Sequence, residues 1–230
     1  MKTIGLLGGM SWESTTTYYQ EINRETARRL GGLHSAPLLL HSVDFAEIEA
    51  LQKSGDWERA GAILNEAAKG LVGAGAQLLV LCTNTMHKVA PRLQQGIAVP
   101  FLHIAHATAD ALLADGAVKI GLLGTKPTMQ EDFYKQALWQ RGIEVLLPTP
   151  WQMDEVHRVI FEELCRGVLA EDSRAFFLAL IEELARQGAQ GVVLGCTEIG
   201  LLVHQQSTAI PLFDTTRIHA HQAVELALQG

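Results

Sequence analysis

The 230-residue sequence predicts an α/β protein made of two half-domains of one ancestry. Three observations carry that prediction. Short apolar runs at 3–7, 78–82 and 192–194 are bounded by glycines and polar turns, the pattern of strands buried in a parallel sheet. Stretches of helical period, such as 57–74 and 171–187, separate them. The segment GAQLLVLCTNT at 75–85 also aligns without a gap to GAQGVVLGCTE at 188–198, an offset of 113. Other pairs keep nearly that spacing: IGLLG at 4–8 and 120–124 (116), Tyr18-Tyr19 and Phe133-Tyr134 (115), Val99-Pro100-Phe101 and Ile210-Pro211-Leu212 (111). Four correspondences in order mark an internal duplication, with halves of about 110 residues, close to the commonest domain size. Because the last helix of such a repeat can cross back, the expected division is 1–98 plus 208–230 for the first half-domain and 99–207 for the second.

Composition narrows the function. Hydrophobic residues make up 48% and charged residues 19%, enough for packed cores and outside the disordered class. Net charge is −7 and no basic run exceeds Arg28-Arg29, which argues against a nucleic-acid partner. The opening MKTIGLLGG is too short an apolar run for a signal peptide, and no stretch reaches the length of a membrane span. Three cysteines, an odd number without close spacing, fit a reducing cytoplasm rather than a disulfide framework.

In chain order, the strand at 3–7 meets Gly8-Gly9, which turns into a helix starting near 11–14. Free N–H groups at such a junction suit a carboxylate. The spacings of a nucleotide loop are absent. Met10 either lines that crevice or packs in the core. A second strand at 38–41 leads to a helix over 42–52, with Asp44 as N-cap and Glu47 completing a capping box. Gln52 either reaches the crevice or lies on a solvated face. The strand at 78–82 delivers Thr83, Asn84 and Thr85, which can hydrogen-bond a ligand or cap the next segment. His87 reads as a satisfied structural histidine.

A fourth strand at 101–104 precedes a helix at 105–113, and 118–123 restarts the repeat with Gly124-Thr125 in place of Gly8-Gly9. A single helix over 129–141, a strand at 145–147, a loop at 148–150 and a helix at 154–165 carrying Cys165 follow. The strand at 192–194 ends at Gly195 and puts Cys196, Thr197 and Glu198 where ligands bind in open α/β sheets. A small buried cysteine at a strand–helix corner has the same signature. The strand at 210–213 ends on Asp214, placed to cap a last helix at 218–228. His103, His106, His219 and His221 have no third ligand at metal spacing, so no metal is assigned.

CTNTMH at 82–87 and GCTEI at 195–199, together with IGLLGGM at 4–10 and IPLFDTT at 210–216, resemble the aspartate/glutamate racemase superfamily over essentially the whole chain. The resemblance implies two doubly wound parallel-sheet half-domains related by a pseudo-two-fold, with the active site in the cleft between them. It also implies racemisation without a cofactor and a homodimer. The family pattern has a cysteine directly before the Asn-Thr of the first half; here that position is Thr83 and the thiol is one residue earlier, at Cys82. The internal repeat agrees, since Thr83 pairs with Cys196. A strand alternates its side chains, so Cys82 is expected to point away from whatever Thr83 faces. Acid-specific members hold the distal carboxylate with basic residues near the second strand and on the helix ending IFEEL. Here 42–52 has no Lys or Arg, and the second position is Cys165, so the chain is closer to the broad-specificity amino-acid racemase branch.

The chemistry expected is removal of the α-proton on one face of an amino acid and its return on the other. Cys196 is the base, with a thiol pKa brought below about 8.5 by helix N-termini, and Thr83, a poor base, donates a proton or positions a water on the opposite face. Asn84, Thr85, Thr125 and Thr197 hold the α-carboxylate, with Met10 and Gln52 beside them; Glu198 orients Cys196 or receives the substrate ammonium. No lysine stands beside a phosphate cup, so pyridoxal phosphate is not implied. The competing readings are a one-thiol decarboxylase or cis–trans isomerase of the same fold, and a non-catalytic amino-acid binding protein.

Overall fold

The computed structural model describes residues 1–229. The chain divides into two compact units, Met1–Ile104 with the segment from His219 onward, and Ala105–Ile218. The first unit holds β1 (Ile4–Gly8), α1 (Trp12–Leu30), β2 (Leu38–Ser42), α2 (Phe45–Ser54), α3 (Trp57–Gly73), β3 (Leu78–Leu81), a 3-10 helix Thr85–Val89, α4 (Ala90–Leu93) and β4 (Phe101–Leu102). Its strands are parallel in the order β2-β1-β3-β4. After α5 (Ile104–Ala114), the second unit repeats the pattern. It contains β5 (Lys119–Gly124), α6 (Lys126–Gln130), α7 (Asp132–Trp139), β6 (Glu144–Leu146), α8 (Pro150–Glu162), a 3-10 turn Leu164–Arg166, α9 (Glu171–Arg186), β7 (Val192–Gly195), α10 (Ile199–Leu202) and β8 (Leu212–Asp214). Its order is β6-β5-β7-β8, again all parallel. The terminal α11 spans Thr215–Leu228. Each order reverses between its first and third strands, the switch point outside which ligands collect in open α/β sheets.

The register of the two sheets carries the duplication residue by residue. Leu7 pairs with Leu81, and their counterparts Leu123 and Leu194 pair in the second sheet. Val80 pairs with Leu102 as Val193 pairs with Phe213. The glycines inside IGLLG have the same task in both copies. A Cβ on Gly5 would come within 2.8 Å of Ala76 Cβ, and one on Gly121 within 2.8 Å of Leu184 Cδ1, so each lets a loop or helix lie close on the sheet. Gly9 needs its freedom too: its φ is +94°, and a Cβ there would run into the main chain of Val43.

The two units differ from the expected division at 98 and 208. β4 and β8 pair with β3 and β7, so each fourth strand stays with its own sheet. The exchange comes one element later, at the helices. Most of α5 falls in the second unit and most of α11 in the first. A tyrosine from each unit's early helices meets the incoming helix: the Tyr18 hydroxyl lies 2.8 Å from His219 Nδ1, and the Tyr134 hydroxyl donates to Thr108 Oγ1 at 3.2 Å. Tyr18, Tyr134 and His219 are fully buried.

Local chemistry explains most helix starts. Asp56 caps α3 through Arg59 N, and Asp214 caps α11 through Thr216 N at 2.9 Å. Asp44 accepts from Ala46 N, one position short of the expected bond to Glu47. The expected loop at 148–150 instead opens α8, with Thr149 and Gln152 closing a capping box and Pro150 in the first turn. The expected helix over 129–141 is two helices, broken at Glu131, whose ψ is 158°. The Gln130 carbonyl at the break accepts from Lys135 Nζ at 2.7 Å. Among the described residues, no helix is long and apolar enough to cross a membrane.

Candidate active site

In the first unit the proposed site residues gather at the carboxyl ends of β1 and β3. Met10 follows β1, is 3% exposed, and packs with Leu7, Ile48, Leu81 and Met86. Both sequence readings of Met10 therefore concern one place, a core residue at the strand end. Thr83, Asn84 and Thr85 follow β3 and are all buried. Asn84 stands at the N-cap of the 3-10 helix but makes no side-chain cap bond, so the capping alternative does not account for it. Gln52, half-buried near the end of α2, points its Nε2 at Met86 Sδ, 3.0 Å away. Thioether sulfur is a weak acceptor, which leaves this amide readily available to a better partner. Cys82 is fully buried, and desolvation pushes its thiol far above the ordinary range.

In the second unit the corresponding strand ends are those of β5 and β7. Thr125 and Thr128 share a hydroxyl–hydroxyl contact of 3.2 Å beyond β5. Beyond β7, the Cys196 thiol donates to Glu198 Oε2 at 2.9 Å, and Thr197 Oγ1 donates to the same oxygen at 2.9 Å. Cys196 is 7% exposed and Glu198 2%. The thiol is raised well above its ordinary range, first by burial and then by the Glu198 carboxylate, with Cys165 adding to it. This corrects the expectation that helix N-termini lower it. The following helix, α10, has only four residues, too few for an appreciable dipole, whereas the carboxylate is in direct contact. Cys165 lies in the 3-10 turn after α8, partly buried against the same core as Cys196.

At two residues of these strand ends the structure adds partners that the sequence could not name. His87 is the satisfied structural histidine expected: its Nδ1 lies 2.7 Å from the Thr83 carbonyl, and its Nε2 accepts from Ile104 N at 3.2 Å. The repeat holds a signal for this. At the offset of 113 His87 stands opposite Gly200, and at the local offset of 111 His103 stands opposite Asp214, so the two halves were already unequal there. The second residue is Asp214 itself. One oxygen caps α11, while the other occupies the space a side chain at Gly200 would need, 2.6 Å from its Cβ position.

Comparison with known proteins agrees with this architecture. The family model described as Asp/Glu/Hydantoin racemase matches residues 7–223. The chain is 26% identical over 235 aligned positions to the broad-specificity amino-acid racemase RacX of Bacillus subtilis (strain 168), covering 98% of each. A solved Yersinia pestis protein provisionally assigned as an Asp/Glu racemase is 51% identical, with a TM-score of 0.91 and full coverage of both chains. An aspartate racemase homologue from Pyrococcus horikoshii OT3 is 38% identical, with a TM-score of 0.84 over 99% of this chain and 100% of the other. Over nearly its whole length, this chain belongs to the Asp/Glu/hydantoin racemase family, a family of isomerases.

Proposed function

We infer that the protein inverts the α-carbon of a free amino acid without a cofactor, with Cys196 and Thr83 as its two proton-handling residues. The observation that carries this reading is the Cys196–Glu198 pair beyond β7, with Thr83 at the matching position beyond β3. Glu198 is placed to take the thiol proton, leaving a thiolate that removes the α-proton of the L-enantiomer. The electron pair left on the α-carbon spreads into the substrate carboxylate. Asn84, Thr85, Thr125 and Thr197 supply donors that stabilise it there. The Thr83 hydroxyl, directly or through a water, returns a proton to the opposite face, and exchange with solvent resets both groups. Burial keeps the Cys196 thiol protonated in the free protein, and an arriving ammonium offsets the charge of the thiolate when it forms.

We also propose that the side chains accepted extend beyond aspartate and glutamate. The segment 42–52 offers Gln52 and no cation, and Cys165 packs against the same core as Cys196 in place of a basic residue. Relatives named as aspartate racemase homologue and broad-specificity racemase bracket the range. A panel of L-amino acids in deuterated water, followed by proton NMR, tests both statements. Exchange and inversion of several neutral side chains are expected. Exchange of the two acidic amino acids alone would remove the breadth, and exchange of none would remove the racemase reading.

A homodimer and a cytoplasmic setting are proposed as well. Trp12 and Tyr19, seven residues apart on one face of α1, are 67% and 54% exposed, an apolar surface suited to a second copy. Among the described residues the three cysteines form no disulfide, as a reducing compartment would keep them. Sedimentation velocity at micromolar concentration checks the first, with a monomer counting against it.

A further inference from the structure

β3 ends at Leu81, and the 3-10 helix starts at Thr85, so Thr83 lies in neither. Its amide donates to Leu81 O at 2.9 Å, and its carbonyl is met by His87 Nδ1 at 2.7 Å. A carbonyl only accepts, so Nδ1 of His87 carries the proton. Nε2 faces the amide of Ile104, which only donates, so Nε2 is bare. The partners thus specify one neutral tautomer, and protonating the ring would break the bond to Ile104. The ring is 2% exposed and enclosed by Phe101, His103 and His219, with centroids 5.5, 4.6 and 5.8 Å away. His219 is itself committed, to Tyr18 at Nδ1 and to the Leu102 carbonyl at Nε2. Burial, and then the neighbouring His103 and His219, hold the His87 pKa well below its ordinary value.

We propose that His87 is a positioning residue of the proton-return half of the reaction. By joining the Thr83 carbonyl to the Ile104 amide, it sets the peptide plane from which Thr83 and Asn84 project. This inference rests on the assignment of Thr83 above. His87 has no free nitrogen to exchange a proton with substrate, so it acts through Thr83. The second unit has no equivalent, since Gly200 takes that place and Glu198 grips its thiol directly.

The test uses the full chain and separates two processes in deuterated water. Return of deuterium to the face from which Cys196 removed the proton gives labelled L-amino acid; inversion also needs Thr83. His87→Leu keeps the bulk and deletes both hydrogen bonds. It is expected to lower inversion by about tenfold or more, given the sensitivity of catalysis to small displacements, while L-substrate exchange with retention persists. His87→Gln, whose amide can donate to Thr83 and accept from Ile104, is expected to restore inversion to within about threefold. A uniform loss of both processes, or inversion unchanged in folded His87→Leu, would overturn the proposal. If His87→Leu does not fold, ring-nitrogen NMR of the wild type decides. A protonated imidazole or an Nε2–H tautomer overturns the proposal, whereas an Nδ1–H tautomer with inversion retained selectively in His87→Gln supports it. A wild type that neither exchanges nor inverts any amino acid would instead sink the racemase reading, and so is distinguishable.

Discussion

The end of β3 and the end of β7 occupy the same place in two copies of one fold, yet they hold their polar residues differently. Beyond β7, a carboxylate two residues along accepts directly from the thiol of Cys196. Beyond β3, an imidazole four residues along takes the main-chain carbonyl of Thr83 and leaves its hydroxyl to other work. The pairs His87/His103 and Gly200/Asp214 stand in register, so an edge-to-face ring contact in one copy is a carboxylate packed on a glycine in the other. The difference teaches that duplication preserved the scaffold while the contacts at the strand ends diverged. On the roles proposed above, the thiol has its proton acceptor close, and the hydroxyl has a clamp on its backbone.

The most disruptive way to probe that contrast is Cys196→Ala. Removing the base is expected to lower α-exchange of the L-substrate by about 10²–10⁴-fold, the usual worth of a general base, while Cys82→Ala keeps most of it. An inactive but folded Cys82→Ala beside an active Cys196→Ala would reverse the assignment and the repeat alignment behind it. Glu198→Gln sharpens the same side. It takes away the negative charge that raises the thiol second only to burial, so the thiol should titrate at lower pH. Its turnover should nevertheless fall by about 10²-fold, because the proton acceptor is gone.

Acid stability probes the other side. Burial lowers the His219 pKa to about 4, and His87 moves the same way. An unfolded histidine titrates near 6.5, so below that pH the unfolded chain binds protons that the native chain refuses. Stability should therefore fall as pH drops from about 6.5 toward 4, and the His219 contribution levels off below that. The loss from His219 alone is about 3 kcal/mol. The matching position in the other copy is Thr108, which does not titrate, so His219→Gln should flatten the slope of urea midpoint against pH. An unchanged slope would show that His219 is not responsible.

Thr83→Cys tests how far the two ends can be made alike. A second thiol should raise kcat from D to L by about tenfold, since a hydroxyl hardly accepts a proton near neutral pH. Enantiomers have equal free energy, so kcat/KM must stay equal in the two directions, and the change is read in kcat and KM separately. No gain in either would mean that Thr83 is not where the second proton passes. The smallest effect is expected at Gly200. An added methyl in Gly200→Ala would meet the Asp214 carboxylate and loosen its cap on α11, costing about 1 kcal/mol, measurable as a lower Tm.

Much of this molecule was determined by local chemistry that a sequence displays. The period of apolar residues and the glycines at the ends of β1 and β7 announce strand, turn and helix, because those depend on neighbours in the chain. The duplication is legible for the same reason, and the matched pairs Leu7–Leu81 and Leu123–Leu194 keep its offsets. The strand ends carrying Thr83 and Cys196 could be named from it. What only the tertiary structure decided depends on residues far apart in the chain. The exchange of α5 and α11 turns on which core buries them, and local periodicity is blind to that. The raised thiol of Cys196 could not be read from a nearby helix start, because burial and the aim of the Glu198 carboxylate outweigh four helical residues. The partners of His87 were hidden too: its tautomer is set by a carbonyl four residues back and an amide seventeen residues on, and only folding brings those to the two edges of one ring.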